Sequence, residues 1–175
     1  MERTMTTTDL GLEKGSRLKE DTKEISQLIV FKLGGEEFAI RIDQLKEVVI
    51  TPSFIKIPQT EEYILGAANI RGTVVTLFDM EKKFNLGTRG MDDTHSNYTL
   101  VIESENFKAG ILVQEVPNTL SIATDAIDRS SGIVQYSSID NDCMEGIVKS
   151  GDRLIVLIDL INLLKTEKTC VDLVD

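Results

Sequence analysis

Two stretches of this chain, about 80 residues apart, carry the same pattern. Ile64–Met80 contains an apolar lead-in with a glycine, a tight turn over residues 69–72, and an apolar strand that ends at Asp79. Gly146–Leu160 repeats the glycine, the turn, the strand and a closing aspartate, Asp159. Because repetition at a fixed spacing marks a repeated structural unit, the chain is predicted to build one β-rich element twice.

Each half of the chain also carries a hairpin signal. Leu28–Leu33 and Phe38–Ile42 flank Gly34-Gly35, and tight hairpin turns favour glycine because they need positive φ. Tyr98–Ile102 and Phe107–Val113 form the corresponding pair in the second half. We therefore expect an all-β fold of two small five-stranded β-barrel subdomains, related by internal pseudo-symmetry and carrying short capping helices. A single merged β-sandwich is the alternative architecture.

Composition along the chain predicts its division into segments. Residues 1–24 are rich in Thr, Lys and Glu, and a segment with so few apolar residues is predicted to be a flexible tail. The Gly-, Asp- and Thr-rich stretch after Leu86 predicts a boundary between the halves. The predicted segments are the first barrel half at 25–88, a linker at 89–96, the second barrel half with a C-terminal helix at 97–167, and a C-terminal tail at 168–175.

Three aspartates are predicted to begin short helices. A carboxylate at a helix start accepts hydrogen bonds from unpaired backbone amides. Asp79 and Asp159 follow the repeated strands, and Asp43 is expected to cap a helix over Gln44–Val48. Asp79 and Asp159 also offer a possible catalytic pair, but their matching positions favour capping.

Composition and charge exclude several functions. The net charge of -10 and the sequence pI near 4.7 argue against binding to nucleic acid or to an anionic membrane surface, since both need dense basic patches. Leu154–Ile158 is the longest apolar run and is too short to span a bilayer. The first residues show no secretory signal, and Cys143 and Cys170 lack metal-ligand spacing, so a reduced cytoplasmic setting is expected.

The chain shows few candidates for chemistry. His95 is the sole histidine, which excludes a multi-histidine metal site within the chain. Asp140–Asp142 resembles the start of a calcium loop, but Glu145 stands where that loop needs glycine. We therefore predict no catalytic residue, no metal and no cofactor: the chain is expected to be a binding module and not an enzyme.

Several motifs resemble the CheW family of bacterial chemotaxis coupling proteins. Leu28–Ile40 is similar to the first hairpin of that family, and Ile64–Gly72 with the strand to Met80 is similar to its most recognisable motif. Gly146, Gly151-Asp152-Arg153 and Asp159-Leu160 resemble the C-terminal counterpart. The resemblance covers roughly residues 25–165.

The resemblance implies two five-stranded barrels with an apolar groove between them. It also implies a non-catalytic adaptor that couples the cytoplasmic tips of chemoreceptors to the regulatory domain of the histidine kinase CheA. Such an adaptor is cytoplasmic and reaches arrays beneath the membrane through its partners, without inserting into the membrane. The alternatives are a general peptide-binding tandem-barrel scaffold, or a coupling protein of a receptor–kinase pathway outside chemotaxis.

Five residues match positions that the family uses for binding. Arg71 corresponds to an interface arginine, Asn69 is expected to brace the turn, and Gly66 would permit close backbone approach. Leu45 and Glu47, on the predicted short helix, match positions for receptor or kinase contact. The alternatives are a solvated turn arginine, a packing glycine, a core leucine and a solvated glutamate. Because Asn69 and Arg71 are unmatched in the second copy, we expect function there.

Overall fold

The computed structural model describes residues 23–86, 97–130 and 143–165. Within these ranges the chain consists mainly of β-strands. The strands are β1 (Ile25–Leu33), β2 (Glu36–Arg41), β3 (Leu45–Ile50), β4 (Phe54–Ile55), β5 (Ile64–Ile70), β6 (Thr73–Phe78), β7 (Tyr98–Glu103), β8 (Lys108–Val113), β9 (Asn118–Ala123), β10 (Ile127–Asp128), β11 (Met144–Ser150) and β12 (Arg153–Ile158). The helices are α1 (Met80–Lys83) and α2 (Leu160–Lys165), and short 3₁₀ helices cover Ile42–Gln44 and Thr124–Ala126. In the three described ranges, no helix has the length and apolar character needed to cross a membrane.

The strands form two six-stranded sheets with the same plan. Sheet 1 has the order β10-β11-β12-β2-β1-β9, and sheet 2 has the order β4-β5-β6-β8-β7-β3. In each sheet a two-residue edge strand is followed by a hairpin, then by a second hairpin, and last by a single antiparallel strand. The two hairpins pair with each other through parallel strands, β12 with β2 in sheet 1 and β6 with β8 in sheet 2. The predicted all-β, pseudo-symmetric architecture is confirmed, with a short edge strand added to each predicted set of five.

Each sheet contains strands from both halves of the chain. The β1–β2 hairpin joins sheet 1, where Ile29 lies opposite Thr119 and β2 runs parallel to β12. The β7–β8 hairpin joins sheet 2, where β8 runs parallel to β6. A sheet therefore does not correspond to one half of the chain, because each sheet takes its central hairpin from the other half. The predicted linker and most of both predicted tails lie outside the described residues.

The repeated stretches fold alike, as predicted. β5 and β11 each carry an irregularity at the repeat glycine, between Ile64 and Gly66 and between Met144 and Gly146. The backbone amides of the closing aspartates make equivalent bonds, from Asp79 to the Tyr63 carbonyl at 2.8 Å and from Asp159 to the Cys143 carbonyl at 2.7 Å. The sequence repeat is thus a repeat of backbone geometry.

Two of the three predicted helix caps are confirmed. Asp79 Oδ1 accepts a hydrogen bond from the Lys82 amide at 3.2 Å, and Asp159 Oδ1 accepts one from the Asn162 amide at 3.0 Å. The predicted helix over Gln44–Val48 is wrong. A 3₁₀ turn ends at Gln44, and the chain continues at once as β3, paired with β7. The β-branched run at 48–50 prefers a strand, and this preference prevails over the cap signal of Asp43.

The largest apolar cluster lies between the sheets and is built around the central hairpins. Alternate residues of β1 face opposite ways: Ile29, Phe31 and Leu33 join this inter-sheet core, whereas Leu28 and Val30 pack inside sheet 1. Both faces of the hairpin are therefore buried. Helix α2 closes the inter-sheet core with three buried leucines, Leu160, Leu163 and Leu164. This arrangement leaves the strand ends and edges of sheet 2 at the surface.

Candidate protein-binding surface

The turn between β5 and β6 consists of Arg71 and Gly72. Their φ angles are 52° and 84°, and Ile70 pairs with Thr73 across the turn. Two successive positive φ values are typical of a type I′ turn, which suits the twist of a β-hairpin. The side-chain oxygen of Asn69 accepts a hydrogen bond from the Gly72 amide at 2.9 Å, which is the bracing role expected for Asn69. The turn is thus held rigidly at the end of sheet 2.

Two of the predicted binding residues meet at this turn. The Nε–H of Arg71 donates a hydrogen bond to Glu47 Oε2 at 2.8 Å. The Glu47 side chain is 21% exposed, whereas the Arg71 side chain is 77% exposed. Glu47 therefore holds one edge of the guanidinium, and the terminal amino groups extend into solvent. A fixed guanidinium of this kind can donate two parallel hydrogen bonds to a carboxylate of a partner.

A β-bulge in β3 aims Glu47 at the turn. Leu45 lies opposite Ile102, but Glu47 lies opposite Val101, so Lys46 is the extra residue. Ile102 faces the inter-sheet core and Val101 faces the inside of sheet 2. In a regular strand Leu45 and Glu47 would share a face; the bulge places them on opposite faces. The side chain of Glu47 is thereby directed to the Arg71 side.

The bulged residue itself is anchored by charge. Lys46 Nζ lies 2.7 Å from Glu103 Oε2, and Lys108 Nζ lies 3.1 Å from Glu103 Oε1. The hydrogen bond to Glu103 raises the pKa of Lys46, and the same bond lowers the pKa of Glu103. These charges hold the bulge against the end of β7.

Leu45 has a different role from Glu47. It is partly buried and packs against the inter-sheet core, which agrees with the alternative of a core leucine. Further along β3, Val48 lies opposite Leu100, so the strand presents the same face to the core side. Val48 is 37% exposed and Ile50 is 79% exposed. Leu45, Val48 and Ile50 form what we call the seam stripe, an apolar strip where the inter-sheet core reaches the surface.

Gly66 allows β4 to approach β5 closely. Its φ is 152°, and a Cβ atom at this position would lie 1.9 Å from the carbonyl oxygen of Ile55. The predicted close backbone approach is therefore an approach of the protein's own edge strand. Gly66 therefore affects the surface beside the turn indirectly, by allowing β4 to lie close to β5.

A shallow groove runs beside the turn, along β4, β5 and β6. Its volume is about 360 Å³, and its lining is mainly apolar. The lining residues are Ser53, Phe54, Ile55, Ala67, Ala68, Asn69 and Val74. Ile55 and Val74 are among the most exposed large apolar side chains of the described residues, at 73% and 58%. We call this groove, with Arg71 and Glu47, the turn surface; exposed apolar groups bordered by a charged pair are typical of a protein-binding site.

The equivalent turn of the second copy has different chemistry. Gly151, with a φ of 62°, takes the place of Arg71, so the position of the arginine carries no side chain at this turn. Arg153 instead makes a two-point ion pair with Glu37, at 2.8 and 2.6 Å. The hydrogen bond from Arg153 lowers the pKa of Glu37, and the same bond raises the pKa of Arg153. This pair joins β12 to β2 within sheet 1.

The described residues offer no arrangement for metal chemistry: no three His, Cys, Asp or Glu side chains among them lie close enough to hold an ion. The carboxylates of Asp79 and Asp159 cap helices, and Cys143 is buried in the inter-sheet core. His95 and Asp140–Asp142 lie outside the described residues. The fold and its surface define a protein-interaction module built from two pseudo-symmetric β-sheets.

Comparison with known proteins identifies the family. A family model described as the CheW-like domain matches residues 27–168, and the chain belongs to this family. The chain is 30% identical over 149 residues to the chemotaxis protein CheW of Helicobacter pylori, which covers 85% of this chain and 87% of that protein. It is 29% identical over 140 residues to CheW of Bacillus subtilis, covering 79% and 86% of the two chains.

A solved structure agrees with this assignment. The crystal structure of the scaffolding protein TtCheW from Thermoanaerobacter tengcongensis superposes with a TM-score of 0.68 at 30% identity, covering 81% of this chain and 88% of that one. The predicted family is confirmed, and so is the predicted class, a chemotaxis adaptor. A family of scaffold proteins also agrees with the expectation that the chain is not an enzyme.

The groove and the bulge were not predicted from the sequence. Ile55 and Val74 were not among the predicted binding residues, although both side chains are exposed. Val74 shares its side of β6 with Thr76 and Phe78, which are both buried, so strand alternation alone does not predict its exposure. The bulge at Lys46 has no comparable sequence signal.

Proposed function

We propose that this chain is a cytoplasmic adaptor that binds the regulatory domain of a CheA-type histidine kinase and the cytoplasmic tips of chemoreceptors. Binding to both partners would recruit it to receptor arrays beneath the membrane. The observation that carries the proposal is the Arg71–Glu47 pair beside an exposed apolar groove, in a chain of the CheW family. Of the five residues singled out from the sequence, Asn69, Arg71 and Glu47 belong to the turn surface and Leu45 to the seam stripe, and Gly66 supports the groove by allowing β4 to approach β5.

The turn surface suits the kinase domain. The kinase regulatory domain is itself expected to share this fold, so it can present a barrel edge to the groove of β4, β5 and β6. A carboxylate of that domain can take the exposed amino groups of Arg71, while its apolar side chains cover Ile55 and Val74. Buried apolar contact supplies affinity and the charged pair supplies orientation.

The seam stripe suits the receptor tip. Val48 and Ile50 continue the inter-sheet core outward, and they lie on the opposite face of β3 from Glu47. An elongated segment such as a receptor tip can lay an apolar row along this edge. The two partners would then bind on opposite faces of one strand, so both can be bound at once.

Titration of the purified protein with each partner tests this assignment. Arg71→Glu is expected to weaken binding of the kinase regulatory domain by about tenfold or more, because a charge-assisted hydrogen bond contributes about 1.5–3 kcal/mol. Binding of a receptor tip fragment is expected to change less than twofold. Ile50→Asp is expected to show the reverse pattern.

Lys32→Glu is the matched control for charge. Lys32 lies on β1, and its ion pair with Glu115 is largely exposed, so the same reversal there leaves both surfaces intact. Absence of binding to either partner by the unmodified protein would refute the proposed function. If Arg71→Glu left both affinities within twofold of the unmodified protein, Arg71 would be only a turn residue.

A further inference from the structure

Gln44 is a buried polar residue at the crossover between the two sheets. It ends the 3₁₀ turn that leads from β2 in sheet 1 to β3 in sheet 2, and it is 7% exposed. Its Nε2 donates to Asp159 Oδ1 at 3.0 Å, and its Oε1 accepts from the Leu160 amide at 3.2 Å. Both ends of the amide are therefore used, which a buried amide needs in order to be stable.

These bonds tie the crossover to a fixed point of sheet 1. Asp159 follows β12, its backbone amide donates to the Cys143 carbonyl, and its side chain caps α2. Helix α2 is itself fixed by buried leucines in the inter-sheet core. The pseudo-equivalent aspartate, Asp79, accepts its side-chain bond from Lys82 of its own helix. Asp159 therefore differs from Asp79 in that its side chain also binds the segment that crosses between the two sheets, through Gln44.

The crossover leads directly into the bulge that aims Glu47. Leu45 follows Gln44, its amide bonds to the Ile42 carbonyl, and its side chain packs against the inter-sheet core. Lys46 is the bulged residue and Glu47 is the next. A shift of one residue in the entry to β3 would turn Glu47 to the other face, because side chains alternate along a strand. The point at which β3 begins therefore decides whether Glu47 reaches Arg71.

We infer that Gln44 is the positioning residue of the turn surface: its bonds to Asp159 and Leu160 fix the entry of β3, and so hold Glu47 against Arg71. The side-chain hydrogen bonds of Gln44 go to Asp159 and Leu160, not to the turn surface, so Gln44 acts on that surface through the bulge. A polar side chain with directional bonds on both ends sets this register more strictly than an apolar side chain of similar size, which packs without direction. Only the consequence for kinase binding rests on the proposed function.

Gln44→Glu tests the inference without removing bulk. The carboxylate keeps an acceptor for the Leu160 amide, but it loses the donor to Asp159 and places two negative charges together. The Nε–H of Arg71 is expected to exchange with solvent at least fivefold faster, as observed by NMR on the protein alone. The affinity for the kinase regulatory domain is expected to fall about fivefold or more.

Asp159→Asn should rescue this change. In the combined variant the asparagine amide can donate to the new carboxylate, and its oxygen can still cap α2, so the bond is restored with reversed polarity. Slow exchange at Arg71 and near-normal affinity are expected to return. Placing Gln44→Glu in an Arg71→Ala background should give no further loss of kinase binding, because both changes act on the same contact.

Thr124→Val is the control for lost stability. Thr124 makes side-chain hydrogen bonds to Ser26 and to the Glu24 carbonyl at the other edge of sheet 1, so its loss should leave Arg71 exchange unchanged. Unchanged Arg71 exchange in Gln44→Glu would overturn the inference, and so would failure of Asp159→Asn to restore slow exchange. If the unmodified protein does not bind the kinase domain, the proposed function fails, while the NMR measurement still decides the role of Gln44.

Discussion

Arg71 adopts a backbone conformation that glycine would adopt more easily. Its φ of 52° lies in the left-handed region, which costs an ordinary side chain about 1–2 kcal/mol. Gly72 already supplies the residue that the second central position of this turn type prefers, and the Asn69 side chain braces the turn from outside it. The turn would therefore fold at least as well without the arginine, and its presence at a cost in stability points to a role for the side chain.

Arg71→Gly separates this role from stability. We expect the midpoint of thermal unfolding to stay the same or to rise by about 2–4 °C, because about 1 kcal/mol of strain is relieved in a chain of this size. The affinity for the kinase regulatory domain should fall by about tenfold. Calorimetry of unfolding and of binding measures the two effects on the same sample.

Gln59→Gly provides the matched control. Gln59 also has a positive φ, 62°, and is exposed in the connection between β4 and β5, away from the Arg71 contact. It should gain stability without losing affinity. A fall in thermal stability for Arg71→Gly would contradict the prediction, because it would show that the bond to Glu47 outweighs the backbone strain.

The sequence predicted which residues of the turn are distinctive, but not how their side chains contact each other. Asn69 and Arg71 stand out because the second copy lacks them, and the brace by Asn69 follows from its side chain. The contact between Arg71 and Glu47 depends on the bulge at Lys46. An extra residue in one strand is a property of the pairing, and no local pattern of apolar and polar residues reveals it.

Among the structural elements, the edge strand β4 depends most on a single residue. β4 pairs only through Phe54 and Ile55, and the Ile55 carbonyl occupies the space that a side chain at Gly66 would need. Gly72, in contrast, has open space around its Cβ position. The two glycines of one hairpin therefore serve different ends: Gly66 admits a neighbouring strand, and Gly72 only permits a turn.

Gly66→Ala is expected to destabilise the protein by about 3 kcal/mol or more, since β4 must move and the backbone is strained. Gly72→Ala should cost about 1 kcal/mol, because only the positive φ is affected. Denaturant unfolding of the two variants measures the difference. Equal losses would mean that β4 can be displaced freely, and the groove would then not be a fixed surface.

The elements themselves were largely predictable. Alternating runs and glycine turns predicted the central hairpins, and the closing aspartates predicted α1 and α2. The exception is the segment after Asp43, where an N-cap signal and a β-branched run compete. Pairing with β7 decides in favour of the strand, and such tertiary pairing is invisible to a local pattern.

For the whole molecule, the exchange of central hairpins between the halves makes each half dependent on the other. β1 and β2 bury both faces only when β9 and β12 are present, and β7 and β8 need β3 and β6. We expect the fragments 25–88 and 97–167 to be largely unfolded when produced separately. Mixing them in equal amounts should restore β-sheet structure.

Circular dichroism of each fragment and of the mixture measures the loss and the recovery of β-sheet structure. A fragment that folded cooperatively alone, with no gain on mixing, would contradict the dependence. The sequence repeat predicted two similar units, but the repeat is equally compatible with separate and with exchanged hairpins. Only the long-range pairing of β2 with β12 and of β8 with β6 distinguishes them.

The exchanged hairpins also bear on ancestry. A half-length chain with this topology would have to exchange its central hairpin with a second identical chain. The simplest ancestor is therefore a domain-swapped homodimer with two identical turns. Gene duplication and fusion would then allow the turns to diverge within one polypeptide. Such divergence would produce the difference between the two turns, which have Arg71 in one copy and Gly151 in the other. A symmetric ancestor would thereby become a protein with two chemically different ends.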